Sequence, residues 1–296
     1  MVPVISVVIP TARGGSLLGQ AVASVLGQSF GDLEVIVVAN RPGLNLDDLP
    51  ADRRIRLDVE TVVGKAIAVN RGARVAQGRY LAFLDDDDVW ETSKLERQLD
   101  SLARWAGVAA CTTGYRLIDA SGCIVSTGGS SRALDYDSLL KGSFTFKWSS
   151  LLLERELFYV IGNLDTSYRY ADDFDFFLKL ARLGRVAFVD DTLVRYRDHP
   201  AMSSRTPSWR NRQEALRALS TQRRLASQER DWRAVALSCR GAVSVRRHYA
   251  LLEVEAAKSF EQSDGVLRRL SRLALAGFSY PPSLMGARRA IFPTVD

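Results

Sequence analysis

Asp85, Asp86, Asp87 and Asp88 stand side by side, directly after the apolar run Tyr80 to Leu84 and directly before Val89-Trp90. Four adjacent like charges repel, and holding them near a folded core is costly unless a cation or hydrogen-bond donors compensate. A hard divalent ion supplies that compensation, and Mg²⁺ in particular is usually held by one or two carboxylates together with substrate phosphates. The cluster therefore points to a metal and phosphate partner. A solvated acidic turn capping the next helix is the commoner fate of an acidic run. Its position at the end of a buried strand, where loops converge, favours the metal. A second acidic pair, Asp172-Asp173, opens a helical pattern, where carboxylates cap the helix and its dipole favours their ionised form.

The elements that must position these groups follow from apolar periodicity. Val4 to Ile9 is an unbroken, largely β-branched run that closes at Pro10-Thr11, and a helical pattern follows from Ser16 through Leu26. A second such run, Glu34 to Val38, ends at Ala39-Asn40-Arg41-Pro42-Gly43, where Pro and Gly force a loop. A weaker strand is predicted at Ile55 to Glu60. An alanine-rich helix is predicted from Lys65 to Ala76 with Gly78 as its C-terminal cap, and then the buried strand Tyr80 to Leu84. Strands alternating with helices make βαβ units and a parallel sheet, and in such sheets ligands bind beyond the carboxyl ends of the strands. The loops 11–15, 39–43 and 85–88 should therefore converge on one crevice.

Residues 108 to 155 read as α+β, with a strand at Ser149 to Leu153. A helix from Asp172 to Leu183 ends at Gly184 and leads to a strand at Val186 to Val189. Residues 199 to 209 are a Pro/Ser-rich linker. From Arg210 onward, strong helix formers predict about four helices. No internal repeat is visible.

The 296 residues, 47% hydrophobic and 25% charged, suffice for one large domain plus an appendage. Three scattered cysteines, Cys111, Cys123 and Cys239, form no C-x-x-C pair. They support neither a disulfide framework nor a zinc knuckle and fit a reducing cytosol. No stretch of about 18 apolar residues lacks a charge, and the apolar start is too short for a signal peptide. The net charge of +6 is uneven: residues 207 to 296 hold 16 Arg and Lys against 8 Asp and Glu. These basic, amphipathic helices suit either a packed subdomain with a solvated face, the commoner case, or an anionic membrane surface that presents a lipid-linked acceptor. Localisation is thus expected to be cytoplasmic, with peripheral attachment at the inner membrane face open. No motif, aromatic platform or basic helix-turn-helix pattern supports nucleic acid, and the sequence is compatible with a homo-oligomer.

Taken together, VISVVIPT at 4 to 11, EVIVV at 34 to 38 and NRGARVAQGRYLAFLDDDDVW at 70 to 90 resemble the inverting glycosyltransferases of family 2. A second set, IGNLD at 161 to 165, DDFDFFLKL at 172 to 180 and YRDHPAMSS at 196 to 204, resembles the family's acceptor half. The motifs run in the family's order over about residues 4 to 204, far more specific than any one alone. The resemblance implies a GT-A fold, a Rossmann-like α/β domain with a mostly parallel central sheet. Residues 1 to 204 would form it, about 1 to 106 being the nucleotide-sugar and metal half and 107 to 204 the acceptor half. A basic helical extension occupies 205 to 296. The implied activity moves a sugar from a nucleotide diphosphate donor, UDP- or dTDP-sugar favoured, to a hydroxyl of a glycan, lipid-linked or natural-product acceptor, with Mg²⁺ or Mn²⁺.

By the same resemblance Asp85 would contact the ribose or sugar and Asp87 would bind the metal, with Asp86 able to substitute for either. Asp173 resembles the catalytic base, and Asp172, where the family commonly has Glu, leaves two adjacent candidates. His199 matches a position that joins the metal or the diphosphate. Pro10, Thr11 and Arg13 occupy the nucleotide-cradling first loop, although the family's PTYN reads PTAR here. Asn40 stands where the family has an aspartate that holds uracil N3–H; its amide oxygen accepts such an N–H, but its amide also donates, so the base is open. Val69 replaces an arginine while Asn70 and Arg71 remain, so Lys65 or Arg71 would take over phosphate contact. Trp90 and Trp148 flank the site; stacking on sugar is the alternative to the commoner core role. A sugar-1-phosphate nucleotidyltransferase and a non-catalytic sugar-nucleotide-binding protein share parts of this pattern.

Overall fold

A computed structural model describes residues 2–105, 107–126, 134–142, 146–184, 186–198 and 209–261, with side chains through 252. Four strands build the first half of the sheet: β1 (Ile5–Thr11), β2 (Leu33–Ala39), β3 (Ile55–Val59) and β4 (Tyr80–Phe83). They pair in the order β3-β2-β1-β4, all parallel. Every residue of β1 and β2 is buried because helices cover both faces, as unbroken apolar runs require. Side chains alternate between faces. Val8, Ile36 and Val38 face α2 (Lys65–Val75), whereas Val7, Ile9, Val35 and Val37 face α1 (Gly15–Leu26). The approach of α2 is close: a Cβ on Gly72 would lie 2.4 Å from Val8 Cγ1.

Gly78 corrects one expectation. It does not cap α2, whose chain leaves in extended conformation at Ala76. It sits against β1 instead, where a Cβ would lie 2.6 Å from the Ser6 nitrogen. The glycine is needed for close backbone approach, not for a left-handed turn.

Beyond β4 the sheet becomes mixed. After β5 (Val89–Trp90) and α3 (Lys94–Arg104) come β6 (Ala110–Ile118), β7 (Ile124–Ser126), α4 (Tyr136–Leu140), β8 (Leu152–Glu154), α5 (Arg155–Val160), α6 (Asp172–Leu183) and β9 (Ala187–Arg197). The order continues β4-β8-β6-β9-β5, with β8 antiparallel to both neighbours, β6 parallel to β9, and β7 on β6. The strand expected at Ser149 to Leu153 begins later, because Trp148–Ser150 form a 3-10 turn. The strand expected at Val186 to Val189 runs on as β9 to Arg197.

Two long helices, α7 (Trp209–Gln228) and α8 (Trp232–Glu261), close the described chain; residues 262–296, where further helices were expected, lie outside it. Ala215, Ala218 and Leu219 of α7 and Ala234, Leu237 and Val245 of α8 enter the same apolar cluster as α2, α4 and α6. The seam between α8 and α4 is tight, since a Cβ on Gly241 would fall 1.9 Å from the Leu140 carbonyl oxygen. Among the described residues no helix is long and apolar enough to cross a membrane.

Candidate active site

The four aspartates occupy the turn between β4 and β5, at the carboxyl edge of the parallel strands, and they divide into an anchor and a rim. Asp88, fully buried, is the anchor: its carboxylate accepts the Ser149 hydroxyl at 2.5 Å and the Arg197 backbone N–H at 2.9 Å. The Ser149 oxygen in turn accepts the Asp85 N–H at 3.1 Å. Arg197, 2% exposed, donates from its guanidinium to the Asp87 carbonyl at 2.8 Å. The turn is thus tied to β9 and to the 3-10 turn before β8, and its remaining carboxylates line the cleft.

Those three meet cations. Asp86 accepts the Thr11 hydroxyl at 2.6 Å and pairs with Arg13, which also reaches Asp87 at 2.6 Å. Lys65, at the start of α2, lies 2.6 Å from Asp85. The first loop keeps its shape through Gly14, at φ 65°, where a Cβ would strike the Asn45 carbonyl oxygen at 2.1 Å. Burial, then the charges of Asp87 and Asp86, raise the Asp85 carboxyl above its usual range, against the pull of Lys65. Burial and the charges of Asp85 and Asp87 likewise push Asp88 well up. Burial works against the Lys65 ammonium but is outweighed by Asp85, Asp172 and Asp173, so Lys65 stays charged.

Asp172 and Asp173 open α6 as expected. Asp172 is 4% exposed, its Oδ2 makes no hydrogen bond, and burial followed by repulsion from Asp173 pushes it up to about 7. The loop just before them is held by Glu214 of α7, whose carboxylate accepts the backbone N–H groups of Arg169, Tyr170 and Ala171 at 3.0, 2.8 and 3.1 Å.

One cleft of about 700 Å³ collects Pro10, Thr11, Arg13, Asn40, Asp85, Asp86, Asp87, Asp172 and Asp173. The loops after β1, β2 and β4 therefore do converge. Asn40 is 3% exposed; its amide N–H donates to the Gly64 carbonyl at 3.1 Å, which leaves Oδ1 as an acceptor without a partner. A second cavity of about 210 Å³ adjoins the first. Lys65, Asp85, Tyr170, Asp173 and Tyr196 line both, forming a shared wall.

Two expected residues stand away from the cleft. Asn70 exchanges hydrogen bonds with the Leu164 backbone, at 2.8 and 3.1 Å. Arg71 pairs with both oxygens of Asp58 at 2.8 and 2.9 Å. Of the cations named for this face, Lys65 lines the cleft and Arg71 does not. His199 lies outside the described residues. Trp90 is core, donating its indole N–H to the Ser149 carbonyl at 2.8 Å, with Lys94 Nζ 3.8 Å from its ring centre. Trp148, 2% exposed, packs on Phe83 at 4.5 Å between ring centres, yet its edge lines the smaller cavity. Sequence reasoning missed Tyr170, Glu214, His248 and Tyr249. Tyr170 had a signal in its closeness to Asp172-Asp173; the others sit on helices whose pattern gives no hint of what they face.

Oxygen ligands clustered where two side-chain cations have already been drawn suit a hard divalent ion. Among the described residues no three His, Cys, Asp or Glu side chains gather as a metal-holding group. The fit is to a site that takes one or two carboxylates and completes its shell with ligand phosphates.

The family model for glycosyl transferase family 2 matches residues 6–146. A putative teichuronic acid biosynthesis glycosyltransferase of Bacillus subtilis, TuaG, is 30% identical over 204 residues, 66% of this chain and 79% of TuaG. The chain belongs to glycosyltransferase family 2. Solved structures agree with this family 2 transferase in fold. Staphylococcus aureus TarS 1–349 in complex with UDP-GlcNAc superposes with a TM-score of 0.59 at 15% identity, over 75% of this chain and 65% of that one. The chain therefore spans less than two thirds of that neighbour. The mannosyltransferase PcManGT from Pyrobaculum calidifontis, in complex with GDP-Man and Mn²⁺, gives a TM-score of 0.55 at 19% identity, over 95% and 81% of the two chains. The architecture is that of the GT-A glycosyltransferases, and the protein is a transferase.

Proposed function

We propose that this transferase moves a sugar from a nucleoside diphosphate donor to an acceptor hydroxyl with inversion, the donor in the larger cleft and the acceptor hydroxyl entering from the smaller cavity. The observation that carries this reading is the shared wall: Asp173 faces both cavities, which a base that works on an acceptor hydroxyl must do. Asp172 lines only the larger cleft, so Asp173 is assigned as the base and Asp172 as its neighbour.

In the transfer, the acceptor oxygen forms its bond to the anomeric carbon as the bond from that carbon to the diphosphate breaks. The hydroxyl proton goes to Asp173, and the bonding pair leaves with the nucleoside diphosphate. One displacement inverts the configuration. Lys65 and Arg13 stand at the rim where the leaving diphosphate gathers charge, and fixed cations there lower the barrier without reorganisation. Mg²⁺ or Mn²⁺ held by Asp87, with Asp85 and Asp86 beside it, would add Lewis-acid stabilisation of the leaving group; the PcManGT complex with Mn²⁺ supports that assignment.

Asn40 bears on the base. One amide N–H goes to Gly64, and the buried Oδ1, which has no partner, would accept a ring N–H, as uracil, thymine and guanine carry and adenine and cytosine do not. Asn40 thus admits UDP-, dTDP- and GDP-sugars, and the family resemblance favours the first two. The similarity to TuaG, a putative teichuronic acid biosynthesis glycosyltransferase, supports a glycan or lipid-linked acceptor; the basic C-terminal helices would allow peripheral attachment at the cytoplasmic membrane face. Incubation with UDP-, dTDP-, GDP- and ADP-sugars, with and without Mn²⁺, tests the reading. It predicts metal-dependent turnover of a UDP- or dTDP-sugar, and turnover of ADP-sugar alone would refute it.

A further inference from the structure

The smaller cavity is completed by the C-terminal helices. His248 and Tyr249 of α8 and Asn211 and Ala215 of α7 join Lys147 in its lining, and Asp173 lines both it and the larger cleft. We propose that this cavity seats one neutral acceptor sugar ring and that His248 and Tyr249 hold that ring against Asp173. The proposal rests on the donor assignment above, since it gives the adjoining space to the acceptor.

Size limits the occupant first. About 210 Å³ is below the roughly 300 to 1,000 Å³ of pockets for drug-sized ligands, and suits a single pyranose rather than an extended disaccharide. The walls come next. Tyr170, Tyr196, Tyr249 and Phe146 are half-buried around the space. Aromatic residues with a polar tip offer an apolar face and a hydrogen-bonding end, which matches a ring with C–H patches and a rim of hydroxyls.

Charge decides the chemical class. Lys65 is already paired with Asp85 at 2.6 Å, and burial pulls Lys147 down against the charge of Asp173, so the lining suits a neutral ring better than a phosphate or carboxylate. Lys147 Nζ lies 4.0 Å from the centre of the Tyr196 ring, so the two pack against each other in the lining. The histidine offers a donor and an acceptor when neutral. Burial first, and then the charges of Asp173 and Glu214, hold the Tyr249 phenol up at about 12. The phenol therefore remains a hydrogen-bond donor beside the base. The seam at Gly241 and Leu140 sets the position of α8 and so of both side chains.

Saturation-transfer NMR on the full chain with UDP present tests this. The probes are the methyl glycosides of glucose, galactose, mannose and N-acetylglucosamine, with glycerol 3-phosphate as the charged comparator. At least one glycoside should bind wild type, and bind at least 10-fold more weakly to both His248→Ala and Tyr249→Ala. Tyr249→Phe, which keeps the ring, should weaken binding less than Tyr249→Ala. UDP affinity should stay within about 2-fold in all three variants, which also reports intact folding of the cleft. Unchanged glycoside affinity in both alanine variants, or binding of glycerol 3-phosphate with no glycoside, overturns the proposal. Failure of wild type to bind UDP at all would instead sink the donor assignment beneath it.

Discussion

The carboxylate of Glu214, on α7, accepts the backbone N–H of Tyr170 at 2.8 Å, with the N–H groups of Arg169 and Ala171 on the same oxygen. A side chain from the C-terminal helices thus fixes the loop that delivers Tyr170 to the shared wall and Asp172-Asp173 to α6. Glu214→Ala strands three backbone donors and should cost about 1 to 3 kcal/mol of stability by urea denaturation. Transfer should fall about 10-fold or more while UDP affinity holds, and Glu214→Gln, which keeps a carbonyl acceptor, should recover part of both losses. Wild-type stability and transfer in Glu214→Ala would show that the loop needs no such tether.

Asp173→Asn should lower kcat by roughly 10²- to 10⁴-fold, the ordinary contribution of a positioned base, with little change in donor KM. Asp172→Asn should cost less. If steady-state kinetics reverse that order, the base is Asp172.

Chelation with EDTA should suppress transfer, and Mn²⁺ or Mg²⁺ should restore it to wild type. Asp87→Ala should stay inactive across added metal while its thermal unfolding remains near wild type. Full activity in EDTA would remove the ion from the reaction.

Lys94 is fully buried, hydrogen-bonded to Gln98 Oε1 at 2.8 Å, and burial pulls it down to about 7. The unfolded chain, whose lysine keeps its usual value near 10.4, therefore binds more protons between about pH 7 and 10. Stability from this group rises with pH across that window, by up to about 1.4 kcal/mol per unit. Wild type should gain stability relative to Lys94→Met between pH 7 and 9 by chemical denaturation; parallel profiles would mean that Lys94 is not buried as a neutral amine.

Legibility varied with the range of the forces involved. β1, β2 and β4 could be read because each is an unbroken apolar run, β3 (Ile55–Val59) was weaker because charged residues interrupt it, and the crevice followed from parallel topology alone. The aspartate cluster was conspicuous, but nothing local separated Asp88, consumed by Ser149 and Arg197, from the rim carboxylates. That division depends on partners 61 and 109 positions away. Asn70 and Arg71 sit in the most family-like text, yet Leu164 and Asp58 claim them. Glu214 lay hidden because a glutamate on an amphipathic helix reads as solvated surface until the loop that it caps is folded against it.

The paired hydrogen bonds between Asn70 and the Leu164 backbone join the helix that carries Lys65 to the segment that leads toward Asp173. On the proposed roles, that link ties the phosphate end of the reaction to the proton end, and it is a route by which occupancy of one could bias the other. Coupling of this kind is symmetrical in free energy. To whatever extent a seated nucleotide tightens the grip on the incoming hydroxyl, an incoming hydroxyl tightens the grip on the nucleotide.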